Sequence, residues 1–327
     1  MARVVVFDEF GGPEVLHLLD EPVPEPAAGE VRVRIEAFAV NPLDAMMRSG
    51  TYPAPVPLPH ARLGVEGTGV VDALGPDVTG LRAGDPVILT AIPDAAARGS
   101  YAEYTIVPAA RVIARPAELS VPQAAAIWVA YSTAYGALVE TAGIRPGDHV
   151  LINAASGAVG RAAIQVAAYL GAVPIAITRH TARKDDLLAA GAAAVVATDR
   201  EDVVDAVRQH TAGAGADIVL DLVQGPGQQE LLAAGRPGGT LLVAGFLDSR
   251  PTPTPVEAPL TITGYRGFDH TLDDVVVRRM AAFLNAGVSQ GAFRPVIDTV
   301  FGLDDVVKAH QHLENGLHNG KIVVTVP

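Results

Sequence analysis

Cysteine is absent from the 327 residues. That excludes a disulfide, a thiolate nucleophile and any metal site built on thiolates. Cationic side chains are in deficit, 24 Lys and Arg against 36 Asp and Glu, for a formal net charge of -12 at pH 7. So acidic a chain repels polyanions, and neither nucleic acid nor an anionic membrane surface is expected as a partner. The start, ARVVVFDEF, reads as a strand, without a basic segment leading into an apolar run and cleavage site. The longest apolar stretch, AAAIWVAYSTAYGALVE, is interrupted by Ser132, Thr133 and Glu140 and runs into Gly/Pro/Asp punctuation. It reads as a buried helix, not a membrane span. Tandem repeats and low-complexity segments are also lacking. A soluble cytoplasmic protein is expected.

What is present supports a large core. Hydrophobic residues make up 49% and charged residues 18% of a chain long enough for two domains. To about residue 120 the sequence is β-rich: VRVRIEAFAV, GVVDALG, DPVILT and YAEYTIV are separated by Gly, Pro and Asp. VRVRIEA alternates as a half-buried strand should. From about residue 124 apolar strands alternate with alanine-rich helices: HVLIN, GRAAIQVAAYLG, VPIAIT, RKDDLLAAG, AAVVAT, EDVVDAVRQHT, DIVLDLV, QQELLAAG and TLLVAGF. Continuous Val/Ile/Leu strands between helices predict an α/β fold with a doubly wound parallel sheet. A further strand, LTITGY, then two helices and a final strand, KIVVTV, complete the chain.

The strongest chemical signal is HVLINAASGAVGRAAIQ, a strand, a small-residue turn and a helix. Its run Ala155-Ser156-Gly157-Ala158-Val159-Gly160 matches the dinucleotide fingerprint with alanine at the first glycine. Gly157 admits backbone N–H groups to a pyrophosphate at the helix N-terminus, and Gly160 lets helix and strand pack closely. Where NAD-binding sheets carry a carboxylate at the end of the second strand, this one reads IAITRHTARK. Thr178, Arg179, Arg183 and Lys184 suit a 2′-phosphate, so NADPH is the expected cofactor. Taken alone, Arg183 and Lys184 also suit a solvated first helical turn.

Together NPLDAMMRSGTY, GVEGTGVVDALGPDVTGLRAGDPV, GSYAEYTIV, YSTAYGALVE, GDHVLINAASGAVGRAAIQ and the terminal GKIVVTV resemble the medium-chain dehydrogenase/reductase superfamily, in its zinc-free quinone oxidoreductase-like branch. Ala158 and Ala168 depart from the quinone-reductase signature, which usually has glycine and a basic residue there. The resemblance implies a GroES-like β-barrel catalytic domain over residues 1–123 and 264–327, a Rossmann NADPH-binding domain over 124–263, an active cleft between them, and a homodimer paired through the LTITGY strand. Zinc-dependent members carry Cys and His ligands. Here the first-ligand region reads AVNPLDA, and Val65 stands where GHE would place histidine, so no metal is expected. Glu66 then reads as a structural hydrogen-bonding residue, and His60 has no obvious partners.

Without a Lewis acid, hydride transfer to a quinone or an α,β-unsaturated carbonyl is the expected reaction. By resemblance Tyr52 is a proton donor, Asn41 lines the nicotinamide and substrate site, and Thr133 lies beside the nicotinamide. Phe246 and Leu247 cover it, and Gly320 and Lys321 match a cofactor-side position. Each has a plainer reading: an aromatic lid residue for Tyr52, a turn for Asn41, a helix-interior residue for Thr133, a surface lysine for Lys321. Asp44 is expected to be the N-cap of the helix that follows. The alternatives are an enoyl-thioester reductase, a non-redox biosynthetic enzyme, and a nucleotide-binding protein without turnover.

Overall fold

The computed structural model describes residues 1–92, 94–255 and 259–327. In chain order it begins with strands β1 (Ala2–Phe7), β2 (His17–Glu21) and β3 (Glu30–Val40), then helix α1 (Pro42–Ser49). Next come β4 (Ala61–Arg62), β5 (Gly67–Leu74), β6 (Pro86–Leu89), α2 (Ala95–Arg98), β7 (Tyr104–Pro108), β8 (Val112–Ala114) and α3 (Val121–Tyr135). Strand and helix then alternate through β9 (His149–Ile152), α4 (Ala158–Tyr169), β10 (Val173–Thr178), α5 (Lys184–Ala189), β11 (Ala194–Ala197) and α6 (Val203–His210). The alternation continues with β12 (Ala216–Asp221), α7 (Gln228–Ala234), β13 (Gly235–Val243) and β14 (Thr261–Gly264). The tail holds α8 (Gly267–Thr271), α9 (Asp274–Ser289), β15 (Ile297–Gly302), α10 (Val306–Glu314) and β16 (Lys321–Thr325).

Two compact units result. One comprises Met1–Val129, Thr271–Ser289 and Arg294–Pro327; the other comprises Ala130–His270 and Gln290–Phe293.

In the first unit, β2-β1-β4 form one small sheet, and β15-β16-β3-β5-β6-β8 a larger one with β7 also on β3. Strand β3 organises it. Residues 31–38 of β3 pair with β5, while residues 30–34 pair with β7 and 37–40 with β16. Because β5 overlaps both in register, β7 and β16 must share the opposite edge. The alternation of VRVRIEA sends Val31, Val33 and Ile35 into the core beside Phe38, Leu63, Leu89 and Tyr101, all fully buried. Short β2, β4 and β8 carry too few residues for a periodic signal.

In the second unit the order β11-β10-β9-β12-β13-β14 is parallel throughout. This is the doubly wound arrangement expected from the βαβ alternation. Its direction reverses between β9 and β12, and a crevice outside the carboxyl ends of strands at such a reversal is where nucleotides bind. Strands β10 and β11 are buried on both faces, which explains why they read as unbroken apolar runs. Among the described residues no helix is long and apolar enough to cross a membrane.

Candidate active site

In the second unit, the turn after β9 and the start of α4 form one feature. Ala154 adopts a left-handed conformation, φ 43°. The Gly157 N–H donates to the Ala154 carbonyl at 2.9 Å, and Gly157 becomes the N-cap of α4. Ser156, Gly157, Ala158 and Val159 are half-buried. The first N–H groups of an α-helix have no partner inside the helix, so this end offers donors and the positive end of the helix dipole. Gly160 is the spatial constraint. A Cβ there would lie 2.6 Å from both the Ala154 carbonyl oxygen and Ala155 Cα. Only glycine lets the helix rest directly on the turn. Ala158, where the signature has glycine, opens α4 without disturbing this geometry.

Arg161 went unnoticed in the sequence. Its side chain is buried, and Nε donates to the Ser156 carbonyl at 3.2 Å, bracing the turn from behind. Burial lowers its pKa from the usual guanidinium range. A charged residue in an otherwise apolar helix stretch, GRAAIQVAA, was the available signal.

At the end of β10, Thr178 is buried and its carbonyl accepts the Thr198 N–H at 2.9 Å. Arg179 is exposed; Arg183 and Lys184 are half-buried at the start of α5. The structure also brings a carboxylate to this end that the β10 sequence does not show. Asp199, beyond β11, accepts from the Thr181 N–H at 3.2 Å and hydroxyl at 2.8 Å. Both contacts lower its pKa, hydroxyl first. It thus orders the loop that carries Arg179. Lys184 Nζ lies 4.0 Å from Glu201. The donor turn, the glycine contact and the cationic end of β10 fit a dinucleotide bearing a 2′-phosphate. Phe246 and Leu247 follow β13 and are 62% and 60% exposed, unusual for large apolar side chains. Thr133 is half-buried in α3.

At the carboxyl ends of β9 and β12, Asn153 and Asp221 close the reversal between these strands. Asn153 Nδ2 donates to Asp221 Oδ1 at 2.7 Å, and Asn153 Oδ1 accepts the Leu222 N–H at 2.6 Å. Gln228 Nε2 binds the other Asp221 oxygen at 2.9 Å.

In the first unit, three of the expected residues meet. Lys321, the first residue of β16, is 5% exposed, and its Nζ donates to Asn41 Oδ1 and to Glu66 Oε1. It is therefore not a surface lysine. Asn41 Nδ2 donates to Glu66 Oε1 at 3.1 Å and to the Ala39 carbonyl at 3.3 Å. Glu66 Oε2 accepts the Val129 N–H at 2.9 Å. Glu66, 0% exposed, is thus the hub that joins the N-cap of α1, α3 and β16. Gly320, just before Lys321, has φ 123°, and a Cβ there would meet the Val296 carbonyl at 2.5 Å. Val65 is buried in the apolar core.

Asp44 needs a correction. It is not the N-cap of α1. Asn41 holds that position, with Pro42 as the first helical residue and Asp44 at the third. Asp44 instead reaches back: Oδ2 accepts the Asn41 N–H at 2.9 Å, and Oδ1 accepts the Gly64 N–H at 3.0 Å. Its burial pushes the carboxyl pKa up to about 6, opposed by these N–H donors and by Lys321.

A buried polar chain extends from Asp44 and has no counterpart in the sequence reading. Tyr101, fully buried, lies in hydrogen-bond reach of Asp44 and at 3.2 Å from His310 Nε2. Arg48 NH1 lies 3.2 Å from His310 Nδ1, and NH2 pairs with Glu314. Arginine can only donate, so Nδ1 accepts and the neutral imidazole carries its proton on Nε2. That proton goes to the Tyr101 hydroxyl. Burial, with Arg48 beside it, drives the His310 pKa down to about 3, in keeping with a neutral ring. His312 faces elsewhere, with Nε2 at 2.7 Å from Asp298. His60 is exposed and has a partner after all, Asp8 Oδ1 at 3.0 Å from its Nδ1. Among the described residues no group of three or more His, Asp or Glu side chains is placed to hold a metal ion.

Tyr52 lies in the loop after α1, half-buried against the apolar core, with its N–H on the Met46 carbonyl at 3.1 Å.

Comparison with known proteins agrees with this picture. Residues 27–117 match the alcohol dehydrogenase GroES-like domain family, and residues 190–324 match the zinc-binding dehydrogenase family. A quinone oxidoreductase from Lama guanicoe is 32% identical over 330 residues, covering 99% of this chain and 97% of that protein. The crystal structure of a Pseudomonas syringae pv. Tomato quinone oxidoreductase superposes with a TM-score of 0.90 at 29% identity, covering 99% of this chain and 100% of that one. The Escherichia coli quinone oxidoreductase complexed with NADPH gives a TM-score of 0.88 at 27% identity, again covering 99% and 100%. The chain belongs to the medium-chain dehydrogenase/reductase superfamily, in its quinone oxidoreductase-like branch.

Proposed function

We propose that the protein is an NADPH-dependent reductase of quinones or α,β-unsaturated carbonyls that works without a metal ion. The observation that carries this reading is the β9–α4 turn, closed on Gly160, in the same sheet as the cationic end of β10, where the run IAITRHTARK has no carboxylate of its own. The quinone oxidoreductase relatives supply the acceptor class.

Bound NADPH supplies the hydride. The N–H groups around Ser156, Gly157, Ala158 and Val159 hold its pyrophosphate at the start of α4. Thr178, Arg179 and Lys184 hold the 2′-phosphate, with Asp199 fixing the loop between them. Thr133, Phe246 and Leu247 border the nicotinamide; the exposure of the apolar pair supports a surface that a ring covers. Asn41 orients the reacting groups through the lone pair that Lys321 leaves free on Oδ1. Tyr52 donates the proton that completes reduction of an enone. Strand β14 ends its sheet with Ile262 exposed, which supports a homodimer formed by strand pairing.

The test is fluorescence titration with NADPH and NADH, followed by NADPH consumption against a panel of quinones and enones. Tight NADPH binding without consumption by any acceptor would favour a nucleotide-binding protein instead.

A further inference from the structure

Asp221, the last residue of β12, is 0% exposed. Four neutral donors hold its carboxylate. Oδ1 accepts Asn153 Nδ2 at 2.7 Å and the Val223 and Gln224 N–H groups, both at 2.9 Å; Oδ2 accepts Gln228 Nε2 at 2.9 Å. Burying a carboxylate is costly unless hydrogen bonds offset it. What these bonds secure is a shape. The chain folds back over the strand end, with Gln224 at φ 63° and Gly225 at φ 69°. A residue other than glycine persists in the left-handed region only where its surroundings fix it, and such residues gather at ligand sites.

The segment after β13 rests on this turn. The Ala244 N–H donates to the Asp221 carbonyl at 2.8 Å, and the Asp248 N–H to the Val223 carbonyl at 3.0 Å. Between them, a Cβ on Gly245 would lie 2.1 Å from the Leu222 carbonyl oxygen, so the two backbones touch. The Gly225 N–H ties the turn to Thr252 Oγ1 at 2.9 Å. Phe246 and Leu247 therefore stand exposed on a backbone pinned on both sides. That is a preformed apolar ledge.

Its place in the sheet says what it meets. The dinucleotide turn, the 222–225 turn and the 244–248 segment leave the carboxyl ends of β9, β12 and β13, which are parallel neighbours in that order. Thr178 and Arg179 lie on the other side of β9, at the end of β10. A dinucleotide with its 2′-phosphate on the β10 side and its pyrophosphate at the start of α4 lays its nicotinamide toward β12 and β13. Two strand spacings, about 10 Å, separate β9 from β13.

We infer that Asp221 is a positioning residue for the nicotinamide: through the turn that it fixes, it holds Phe246 and Leu247 as a ledge against the ring. This rests on the reductase reading above. Asn153 directly precedes Ala154 of the dinucleotide turn, so the same carboxylate also ties the ledge to the pyrophosphate site.

The test compares the parent with three variants. Gly245→Ala pushes the ledge off the turn by about 1 Å or more. Asp221→Leu keeps the size and removes every acceptor. Asp221→Asn keeps one oxygen for the three Oδ1 bonds, and the Gln228 amide can turn its oxygen toward the new NH2 group. Calorimetric affinity is measured for NADPH and for adenosine 2′,5′-bisphosphate, which lacks the nicotinamide half. Nicotinamide emission on binding and thermal melting are recorded alongside.

Gly245→Ala and Asp221→Leu should bind the bisphosphate within about twofold of the parent, bind NADPH about tenfold more weakly and enhance nicotinamide emission less. Asp221→Asn should restore the NADPH affinity and the emission. Gly245→Ala leaves the carboxylate and its donors in place, so it decides the matter even where Asp221→Leu fails to fold. Parental NADPH affinity and emission in Gly245→Ala would overturn the inference. So would equal losses for both ligands, which mark a general structural defect, or a parent that binds the bisphosphate as tightly as NADPH. A parent and variants that follow the predicted pattern, with no NADPH consumed by any quinone or enone, would instead overturn the reductase reading and leave Asp221 its role.

Discussion

Gly160→Ala places a single methyl group where the structure has least room. The added Cβ would lie 2.6 Å from the Ala154 carbonyl oxygen and from Ala155 Cα. Comfortable separation for such atoms is about 3.5 Å, so helix and turn must part by roughly 0.9 Å. Both obstacles are backbone, and no rotamer change can relieve them. Overpacking of this kind costs about 2–3 kcal/mol. For a unit the size of the nucleotide domain, that lowers the melting temperature by about 5–10 °C. The same displacement moves the Ser156 to Val159 N–H groups off the pyrophosphate. Losing one charge-assisted hydrogen bond, worth about 1.5–3 kcal/mol, weakens NADPH binding by about 10- to 100-fold. Gly157→Ala is the internal control. Its Cβ would lie 3.2 Å from the Ala154 oxygen, and its φ of -74° suits any residue. It should melt within a few degrees of the parent. Differential scanning calorimetry with fluorescence titration reads both effects. A Gly160→Ala protein as stable as Gly157→Ala, with parental NADPH affinity, would refute the placement of the helix on the turn.

Arg179→Asp should raise the KM for NADPH by tenfold or more and leave that for NADH nearly unchanged, in steady-state kinetics with one acceptor; an unchanged NADPH value would remove the 2′-phosphate assignment. Glu66→Gln alone leaves the buried Lys321 ammonium without its carboxylate and should destabilise the first unit by about 3–5 kcal/mol, read by urea denaturation. Asp44 gives a pH signature. Its folded pKa of about 6 lies above the ordinary carboxyl value of 3.8, so the folded state binds the proton more tightly than the unfolded chain. The stability this contributes is full below about pH 4 and lost as pH rises to about 6, a change on the order of 3 kcal/mol. Asp44→Asn should remove that component from the slope of stability against pH, whatever its fixed cost; identical slopes would contradict it. Tyr52→Phe should slow enone turnover by about 10- to 100-fold without changing NADPH affinity, measured by stopped-flow absorbance.

The nucleotide unit was legible because its information is local. Strand, turn and helix follow one another within HVLINAASGAVGRAAIQ, and the basic residues lie next to the end of β10. The Glu66 hub was not legible, because its partners are 25, 63 and 255 residues away and no periodicity links them. What Glu66 touches depends on β-pairing across the whole chain. Asp44 was misplaced by three residues because Pro42, which lacks an N–H, opens the helix, and the cap position falls to the preceding Asn41. The plainer reading of Lys321, a surface lysine, fails because lysine is rarely buried unless paired, and its pair could not be seen from the sequence. The chain Arg48–His310–Tyr101–Asp44 joins three distant segments by the same long-range logic.

The most direct measurement is NADPH oxidation by the chelator-treated, metal-free protein with a quinone and an enone, run in parallel with NADH. Undiminished turnover, with NADPH preferred over NADH by tenfold or more, is the predicted result. Turnover that vanishes on metal removal and returns with zinc, or that prefers NADH, would contradict it.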